Sequence, residues 1–219
     1  MVLGNMTVTR WWWVRHAPVT GLGGELHGSD DVDCDCSDEA ALEILSRALP
    51  REAVWITSRL KRTRRTAEAI QAAGNLRIRP TAVEDLDELS FGRWQGRTWA
   101  EIEEKFAEEF KTFWENPTRN AARGGESFEA QMRRCAAAIQ ALNASHGGRD
   151  IVSISHGGTI RAALAQALNL ASEDAMAIVV DNLSLTRIDH LSVPSPSGGG
   201  ESWRVLAVNL PVNGVGGVG

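Results

Sequence analysis

The chain alternates short apolar runs with segments of helical character, and this alternation constrains the fold more than any other feature of the sequence. Such a pattern is typical of α/β proteins, in which helices connect the parallel strands of a central sheet. We therefore predict a three-layer sandwich with a mostly parallel central sheet flanked by helices. The predicted strands span about 8–15, 53–57, 150–155, 183–189 and 203–209, with a possible short strand at 76–80. The predicted helices span about 38–49, 59–73, 98–114, 127–145 and 158–169.

The size of the chain favours one globular domain. With 219 residues, of which 43% are hydrophobic, the chain can bury a sizeable core. We predict a single domain over 1–211. The chain ends in the glycine-rich stretch "GVGGVG", which predicts a disordered tail over 212–219.

Composition and charge exclude several other classes of protein. No apolar run approaches the roughly 18 residues of a membrane-spanning helix, and the first residues do not resemble an export signal. The net charge of -5 argues against a nucleic-acid binder, which is normally basic. An odd number of cysteines (Cys34, Cys36 and Cys135) fits a reducing cytoplasm better than a disulfide framework. We therefore predict a cytoplasmic protein, and the sequence carries no signal for its oligomeric state.

Two predicted strands end in a histidine. The stretch "WWWVRHAPVTG" at 11–21 places Arg15 and His16 at the end of an apolar run, and "IVSISHGGTIR" at 151–161 places His156 at the same point of another. In open α/β sheets, ligands bind outside the carboxyl ends of the strands, where a following helix directs free N–H groups at an anion. A lone histidine more often packs in the core or ends a strand. The repetition favours a shared crevice that contains both histidines and Arg15.

A strongly basic helix start is the third candidate feature. In "TSRLKRTRRTAEAI" at 57–70, Ser58 is a suitable N-cap residue, yet the positive end of the helix dipole meets a cluster of cations. An anion bound at this end would remove the conflict. Most charges on helices simply face water, and that is the interpretation we favour for Arg64 and Arg65. Spacing alone does not separate Arg59 from Arg62, because residues three apart share a helix face.

An acidic stretch beside aromatic residues is the fourth candidate feature. "VEDLDELSFGRWQG" at 83–96 contains four carboxylates, which are Glu84, Asp85, Asp87 and Glu88, followed by Phe91 and Trp94. Crowded like charges next to apolar rings raise a carboxyl pKa, so one of these groups could serve as a general acid near neutral pH. Composition does not select which one.

Two other motifs are set aside. "SISHG" faintly resembles the elbow of serine hydrolases, but Ser153 stands where that motif needs its first glycine. "CDC" at 34–36, even with His27, does not have the usual spacing of zinc-binding cysteines. We therefore predict no metal site.

Taken together, the motifs resemble those of the histidine phosphatase superfamily, which includes the phosphoglycerate mutases. The matching stretches occur in family order from residue 11 to about 161, and they are "VRHAPVT", "TSRLKRTRRTAEAI", "DELSFGRWQG", "GGESF" and "SISHGGTIR". The sequence departs from the family pattern after His16. Ala17 replaces the usual glycine, Pro18 replaces a polar residue and removes a backbone donor, and no asparagine follows a few residues on.

The resemblance implies a role for each candidate residue. His16 is implied to be the nucleophile that becomes a phosphohistidine, and Glu88 the acid that protonates the leaving oxygen. Arg15, Arg62 and His156 are implied to hold the phosphoryl oxygens. The family needs neither a metal nor another cofactor, and the implied ligand is a small-molecule phosphate ester.

Three functions remain open within this resemblance: a phosphomonoester hydrolase, a mutase, and an inactive phosphate-binding scaffold. The missing asparagine-containing loop and the short chain favour hydrolysis, and the presence of all the implied site residues disfavours the scaffold. Softer similarities point to the α-ribazole phosphatases of cobalamin synthesis. They lie in "FWENPTRNAARGGESFEAQMRR" at 113–134, in "FGRW" and in the last strands, "VDNLSLTRID" and "WRVLAVN". This predicts α-ribazole 5′-phosphate as the substrate, with Phe113 and Trp114 as a stacking surface. The alternative among the hydrolases is a phosphatase of broad specificity for small molecules.

Overall fold

A computed structural model describes residues 6–21, 23–193 and 200–212 of the chain. Within them, a six-stranded sheet is covered by helices on both faces, as predicted. Almost all of the tail predicted over 212–219 lies outside the described residues. The strands are β1 (Thr7–Arg15), β2 (Val54–Thr57), β3 (Thr81–Ala82), β4 (Asp150–Ser155), β5 (Leu185–Val193) and β6 (Gly200–Leu210).

The sheet has the strand order β3-β2-β4-β1-β5-β6. The first four strands in this order are parallel, whereas β5 runs antiparallel to both of its neighbours. The prediction of a mostly parallel sheet is therefore confirmed. The carboxyl ends of β1, β2 and β4 meet at one edge of the sheet, where the candidate residues follow them.

The tryptophan run forms the centre of the sheet. Side chains alternate between the two faces of a strand, so Trp11 and Trp13 share one face, where their rings stack with centroids 4.8 Å apart. Trp12 faces the other way, and its indole N–H donates to Asp150 Oδ1 at 3.0 Å. All three side chains are buried, so β1 is covered on both faces and holds its end rigidly.

The described residues form seven α-helices. They are α1 (Glu39–Ala48), α2 (Lys61–Gly74), α3 (Trp99–Lys105), α4 (Ala107–Glu115), α5 (Phe128–His146), α6 (Gly157–Leu168) and α7 (Ser172–Met176). Leu45 of α1 and Ile70 of α2 pack with Trp12 on one face. On the opposite face, α5 and α6 supply Ile139 and Ile160, which belong to the core around Trp11 and Trp13.

Several predicted boundaries were wrong. The predicted helix over 98–114 is two helices, because Phe106 leaves the helical conformation (φ -133°, ψ 40°) and packs with the aromatic core around Trp94. Thr98 and Glu101 form the capping box that starts α3. The strand considered at 76–80 lies instead at Thr81–Ala82, and α7 was not predicted.

Candidate active site

The two histidines lie side by side at the carboxyl edge of the sheet. β1 and β4 are adjacent and parallel, with Arg15 paired to Ser155, so the residues that follow the two strands are neighbours. The imidazole rings of His16 and His156 lie edge to face, with centroids 5.2 Å apart. The His16 backbone N–H donates to Ser155 O at 2.9 Å, which ties the end of one strand to the other.

The His16 ring is held in a defined tautomer. Its Nδ1 lies 2.7 Å from the backbone oxygen of Ala17. Because a carbonyl oxygen can only accept, Nδ1 carries the proton and Nε2 keeps its lone pair. The side chain is 4% exposed, and burial, to which the charge of Arg62 adds, lowers the pKa of His16 to about 3. The imidazole is therefore neutral at physiological pH, as a nucleophile requires.

His156 is fully buried and contacts a residue that the sequence motifs did not identify. Its Nε2 lies 2.7 Å from Ser58 Oγ, and its Nδ1 has no partner among the described residues. Burial lowers the pKa of His156 well below its usual value, so this ring is neutral too. Sequence analysis predicted Ser58 as an N-cap, and this was wrong: Leu60 precedes the first residue of α2, and its N–H donates to Ser58 Oγ at 3.1 Å. The position of Ser58, directly after β2 at the same edge, was the available signal.

Arg62 is the buried arginine of the basic stretch. It is 2% exposed, and its guanidinium donates to the backbone oxygens of Gly28 at 2.6 Å and Asp30 at 2.8 Å. Arg59, which spacing did not separate from Arg62, is exposed and pairs with Asp87 at 2.8 Å instead. The structure thus resolves the ambiguity, because only Arg62 reaches the site.

An acidic side chain of the protein itself lies at the amino end of α2. The carboxylate of Asp31 accepts from the Lys61 N–H. Arg64 and Arg65 are exposed and lie near Asp31 and Asp33, at 3.7 Å and 3.9 Å. Asp31 therefore compensates part of the helix dipole here, and the binding of a further anion at this helix end stays a prediction. The exposed positions of Arg64 and Arg65 agree with the prediction that they face water.

Arg15 reaches the same site from the end of β1. Its guanidinium donates to Val180 O at 2.6 Å. Neither Arg15 nor Arg62 forms an ion pair with a carboxylate within the described ranges, and the Nε atom of each is buried without a partner there. Burial lowers the pKa of both groups, which is the cost of holding a cation away from water. Two such cations next to a neutral imidazole can bind an anion.

Glu88 is the carboxylate that the fold selects from the acidic stretch. It lines the same cavity as His16, whereas Glu84 and Asp87 pair with Arg59. Glu88 Oε1 accepts from Gln131 Nε2 and from the Leu89 N–H, both at 3.0 Å. Its Oε2 accepts from the Gly158 N–H at 3.3 Å. These contacts fix the carboxyl group in the cavity that His16 also lines.

The cavity has a volume of about 340 Å³. Of the predicted site residues, Arg15, His16, Arg62 and Glu88 line it, whereas His156 is buried behind the lining. Gln131, Arg161 and Asn182 also line it, and sequence analysis missed them. The stacking surface predicted from Phe113 and Trp114 was wrong. Both residues pack in the aromatic cluster of α3 and α4 and neither lines the cavity, where the aromatic side chains are those of Phe91 and Phe128.

The described part of the chain offers neither a cluster of metal ligands nor a membrane-spanning helix. It contains no group of three or more histidine, cysteine, aspartate or glutamate side chains that could hold a metal ion. Its helices are all too short or too polar to cross a membrane.

Comparison with known proteins decides the family. The family model of the histidine phosphatase superfamily (branch 1) matches residues 11–193. The chain belongs to this superfamily. Among its relatives, phosphoserine phosphatase 1 of Hydrogenobacter thermophilus is 29% identical over 182 residues, which cover 80% of this chain and 83% of that protein. Phosphoglycerate mutase-like protein 4 of Arabidopsis thaliana is 35% identical over 154 residues, which cover 68% and 66% of the two chains.

Solved structures of two phosphatases share the fold. The α-ribazole phosphatase of Shigella flexneri superimposes with a TM-score of 0.74 at 21% identity, over 92% of this chain and 98% of that one. A mycobacterial glucosyl-3-phosphoglycerate phosphatase has the same TM-score at 23% identity, over 93% and 99%. The predictions of family and fold are therefore confirmed, and the family supports a phosphatase that acts on phosphate esters.

Proposed function

We propose that the chain is a phosphomonoesterase that works through a phosphohistidine at His16. The observation that carries this proposal is the hydrogen bond from His16 Nδ1 to Ala17 O, which leaves the Nε2 lone pair free in a neutral ring whose cavity is also lined by Arg15 and Arg62. In the first step, Nε2 attacks the phosphorus and the bond to the ester oxygen breaks. In the second step, water attacks the phosphohistidine and inorganic phosphate leaves.

Arg15, Arg62 and His156 hold the phosphoryl oxygens in this scheme. The transferring group spreads its negative charge over its oxygens, and fixed cations stabilise that charge without reorganising. The backbone oxygens of Val180, Gly28 and Asp30 fix the two guanidinium groups before the substrate arrives.

Glu88 handles the proton in both steps. In its acid form it donates a proton to the leaving ester oxygen, and as the resulting carboxylate it takes a proton from the attacking water. The contacts with Gln131 and the Gly158 N–H keep the carboxyl group in place between the two steps.

We propose a hydrolase that needs no metal or other cofactor, because the guanidinium groups supply the positive charge that a metal would otherwise provide. Hydrolysis is favoured over mutase action by the missing asparagine-containing loop after His16. The inactive scaffold is disfavoured because the neutral nucleophile, the two cations and the acid all meet in one cavity. Three free cysteines support a cytoplasmic location.

The leaving group remains a prediction with two candidates. α-Ribazole 5′-phosphate, an intermediate of cobalamin synthesis, is the candidate that the sequence similarities of 113–134 suggest. Phosphoserine is the second, and it is favoured by the phosphoserine phosphatase of Hydrogenobacter thermophilus, which aligns with 80% of this chain.

The test is phosphate release from a panel of phosphomonoesters, combined with trapping of the intermediate. We expect turnover without added metal, an acid-labile phosphohistidine in the wild type, and a loss of several orders of magnitude in His16→Ala. The matched control is His146→Ala, which changes a histidine at the end of α5, outside the cavity. An active His16→Ala protein would overturn the mechanism, and interconversion of the monophosphoglycerates would replace hydrolysis by mutase action.

A further inference from the structure

Two cysteine thiols lie in contact close to the active site and have no role in the mechanism proposed above. Cys34 Sγ lies 3.6 Å from Cys36 Sγ, and both cysteines are free. A disulfide bond is about 2.0 Å long, so the two sulfur atoms would have to approach each other by about 1.6 Å to form one. The stretch "CDC" lacks the usual spacing of a zinc site, but the contact between its thiols makes it a candidate for oxidation.

The two thiols differ in their access to solvent. Cys36 is half-buried and lines a groove between α1 and α2, whose sides include Glu39 and Glu43 of α1 and Ala72 of α2. Cys34 is only 6% exposed. An oxidant can therefore reach Cys36 first, and Cys34 can then attack the modified sulfur atom of Cys36 from within the protein.

Cys34 is connected to the residues that orient the proposed nucleophile. Its Sγ donates to Arg62 O at 3.4 Å and lies 3.7 Å from Thr66 Oγ1. Thr66 Oγ1 accepts from the Ala17 N–H at 2.9 Å, and Ala17 O is the acceptor for His16 Nδ1. A movement of the Cys34 sulfur atom therefore reaches the backbone that orients His16 through a single threonine side chain.

The segment that contains both cysteines also pairs with the loop after His16. Cys34 forms an isolated antiparallel bridge with Val19, and the Asp35 N–H donates to Pro18 O at 2.7 Å. Formation of a disulfide draws the two cysteines together on either side of Asp35, so it works against both of these contacts. Oxidation is therefore expected to displace the loop that follows the nucleophile.

We propose that Cys34 and Cys36 are a site of reversible oxidation, and that their disulfide lowers the activity of the neighbouring cavity. The oxidant is a small-molecule disulfide such as oxidised glutathione. The Cys36 thiolate attacks one sulfur atom of the oxidant, the S–S bond of the oxidant breaks, and one glutathione leaves. The Cys34 thiolate then attacks the Cys36 sulfur atom and releases the second glutathione.

The reaction is balanced within these groups. Two protein thiols are oxidised to a disulfide, the oxidant is reduced to two thiols, and the two cysteine protons end on the two glutathione molecules. The effect on activity rests on the proposed phosphatase function, whereas formation of the disulfide does not.

The reaction should be slow in both directions. Burial and the neighbouring Cys34 thiol raise the pKa of Cys36 to about 12, so little thiolate is present at neutral pH. A thiolate of high pKa is also a poor leaving group, so the disulfide should resist reduction once it has formed. We therefore expect oxidation to take on the order of hours, and the experiment uses a correspondingly long incubation.

The first measurement detects the bond itself. The protein is incubated with oxidised glutathione, unfolded, alkylated at its free thiols and cleaved with trypsin for mass spectrometry. Residues 16–47 contain no lysine or arginine before Arg47, so Cys34 and Cys36 share one peptide and Cys135 lies in another. We expect the 16–47 peptide to have lost two hydrogen atoms and to carry no alkyl group, whereas Cys135 is alkylated. Two alkyl groups on this peptide, or a glutathione that stays on Cys36, would overturn the inference.

The second measurement follows phosphate release before oxidation, after oxidation and after reduction with dithiothreitol. We expect oxidation of the wild type to lower kcat by about 10- to 100-fold, because a misplacement of about 1 Å can cost that much, and reduction should restore the rate. Cys36→Ser and Cys34→Ser should each keep their own starting activity under the same treatment, because neither can form the disulfide. The matched control is Cys135→Ser, which retains the pair and should respond as the wild type does.

Two kinetic results would contradict the proposed effect on activity. Inactivation of Cys34→Ser by the oxidant would show that modification of Cys36 alone is responsible. Unchanged activity of a fully oxidised wild type would show that the disulfide does not affect the cavity.

Failure of the proposed function would look different. If the reduced wild type hydrolyses no ester, the phosphatase proposal fails, and mass spectrometry still tests the disulfide. The effect on the cavity is then measured as calorimetric binding of inorganic phosphate to the reduced and the oxidised wild type. Weaker binding after oxidation, with no such change in Cys36→Ser, supports the inference, and equal binding by the two forms contradicts it.

Discussion

The buried His16 ring should make the stability of the protein depend on pH. Its pKa is lowered from the ordinary 6.5 to about 3 in the folded chain. Between these values the unfolded state binds a proton that the folded state does not. The stabilisation from the neutral ring is therefore complete above pH 6.5 and is lost progressively as the pH falls toward 3.

The size of the effect follows from these two pKa values. Between pH 8 and pH 5, protonation of the unfolded His16 should lower the free energy of unfolding by about 2 kcal/mol, with a slope that approaches 1.4 kcal/mol per pH unit. His156 acts in the same direction, because burial lowers its pKa as well. A loss of this size is a large part of the total stability of a typical domain, about 5–15 kcal/mol.

Replacing His16 with asparagine should remove the His16 contribution. An asparagine amide can donate to Ala17 O in place of Nδ1, and it does not titrate. The assay is urea unfolding at pH 8, 7, 6 and 5, followed by the fluorescence of the eight tryptophans. We expect the wild type to lose about 2 kcal/mol more than His16→Asn between pH 8 and pH 5. In Arg65→Ala, the control, the loss should equal that of the wild type. Equal losses in the wild type and His16→Asn would refute the argument.

Three further predictions concern catalysis. Arg62→Ala should lower the rate by a factor on the order of 10²–10³, because it removes a fixed charge. Arg65→Ala changes the exposed face of α2 and should have little effect. Equal kinetic losses in the two variants would contradict the assignment. Gly158→Ala should lower kcat, because the new Cβ would lie 2.4 Å from Glu88 Oε1 and displace the acid; an unchanged kcat would show that the position of Glu88 is not required. Activity should survive dialysis against a chelator and be inhibited by vanadate, and recovery only on adding a divalent metal would contradict metal independence.

The sequence predicted the parts of the site that depend on local pattern. His16 and His156 each end a strand, and parallel strands bring their carboxyl ends together, so the pairing of the two rings followed from the fold class. The burial of β1 could also be predicted from the sequence, because three consecutive tryptophans can be buried only if both faces of the strand are covered.

The rest depended on contacts between distant parts of the chain. Arg62 differs from Arg59 because the backbone oxygens of Gly28 and Asp30, about thirty residues away, accept its hydrogen bonds. Periodicity within the helix contains no such information. The same holds for Ser58, whose partner His156 lies 98 residues further along the chain.

The segment between α7 and β5 shows how the fold supports a site that is unfavourable by itself. Val180 O and Ile178 O hold the guanidinium groups of Arg15 and Arg161, and Asn182 Nδ2 donates to His16 O at 2.7 Å. The next residue, Leu183, has a φ of 58°, a strained conformation for a branched side chain. Its N–H donates to Arg15 O at 2.9 Å, so the strained turn is joined to the end of β1. Buried cations and backbone strain both cost stability, and the core around β1 offsets them. An anion that binds these cations would relieve part of this destabilisation and so stabilise the protein, because a ligand that binds only the folded state stabilises it.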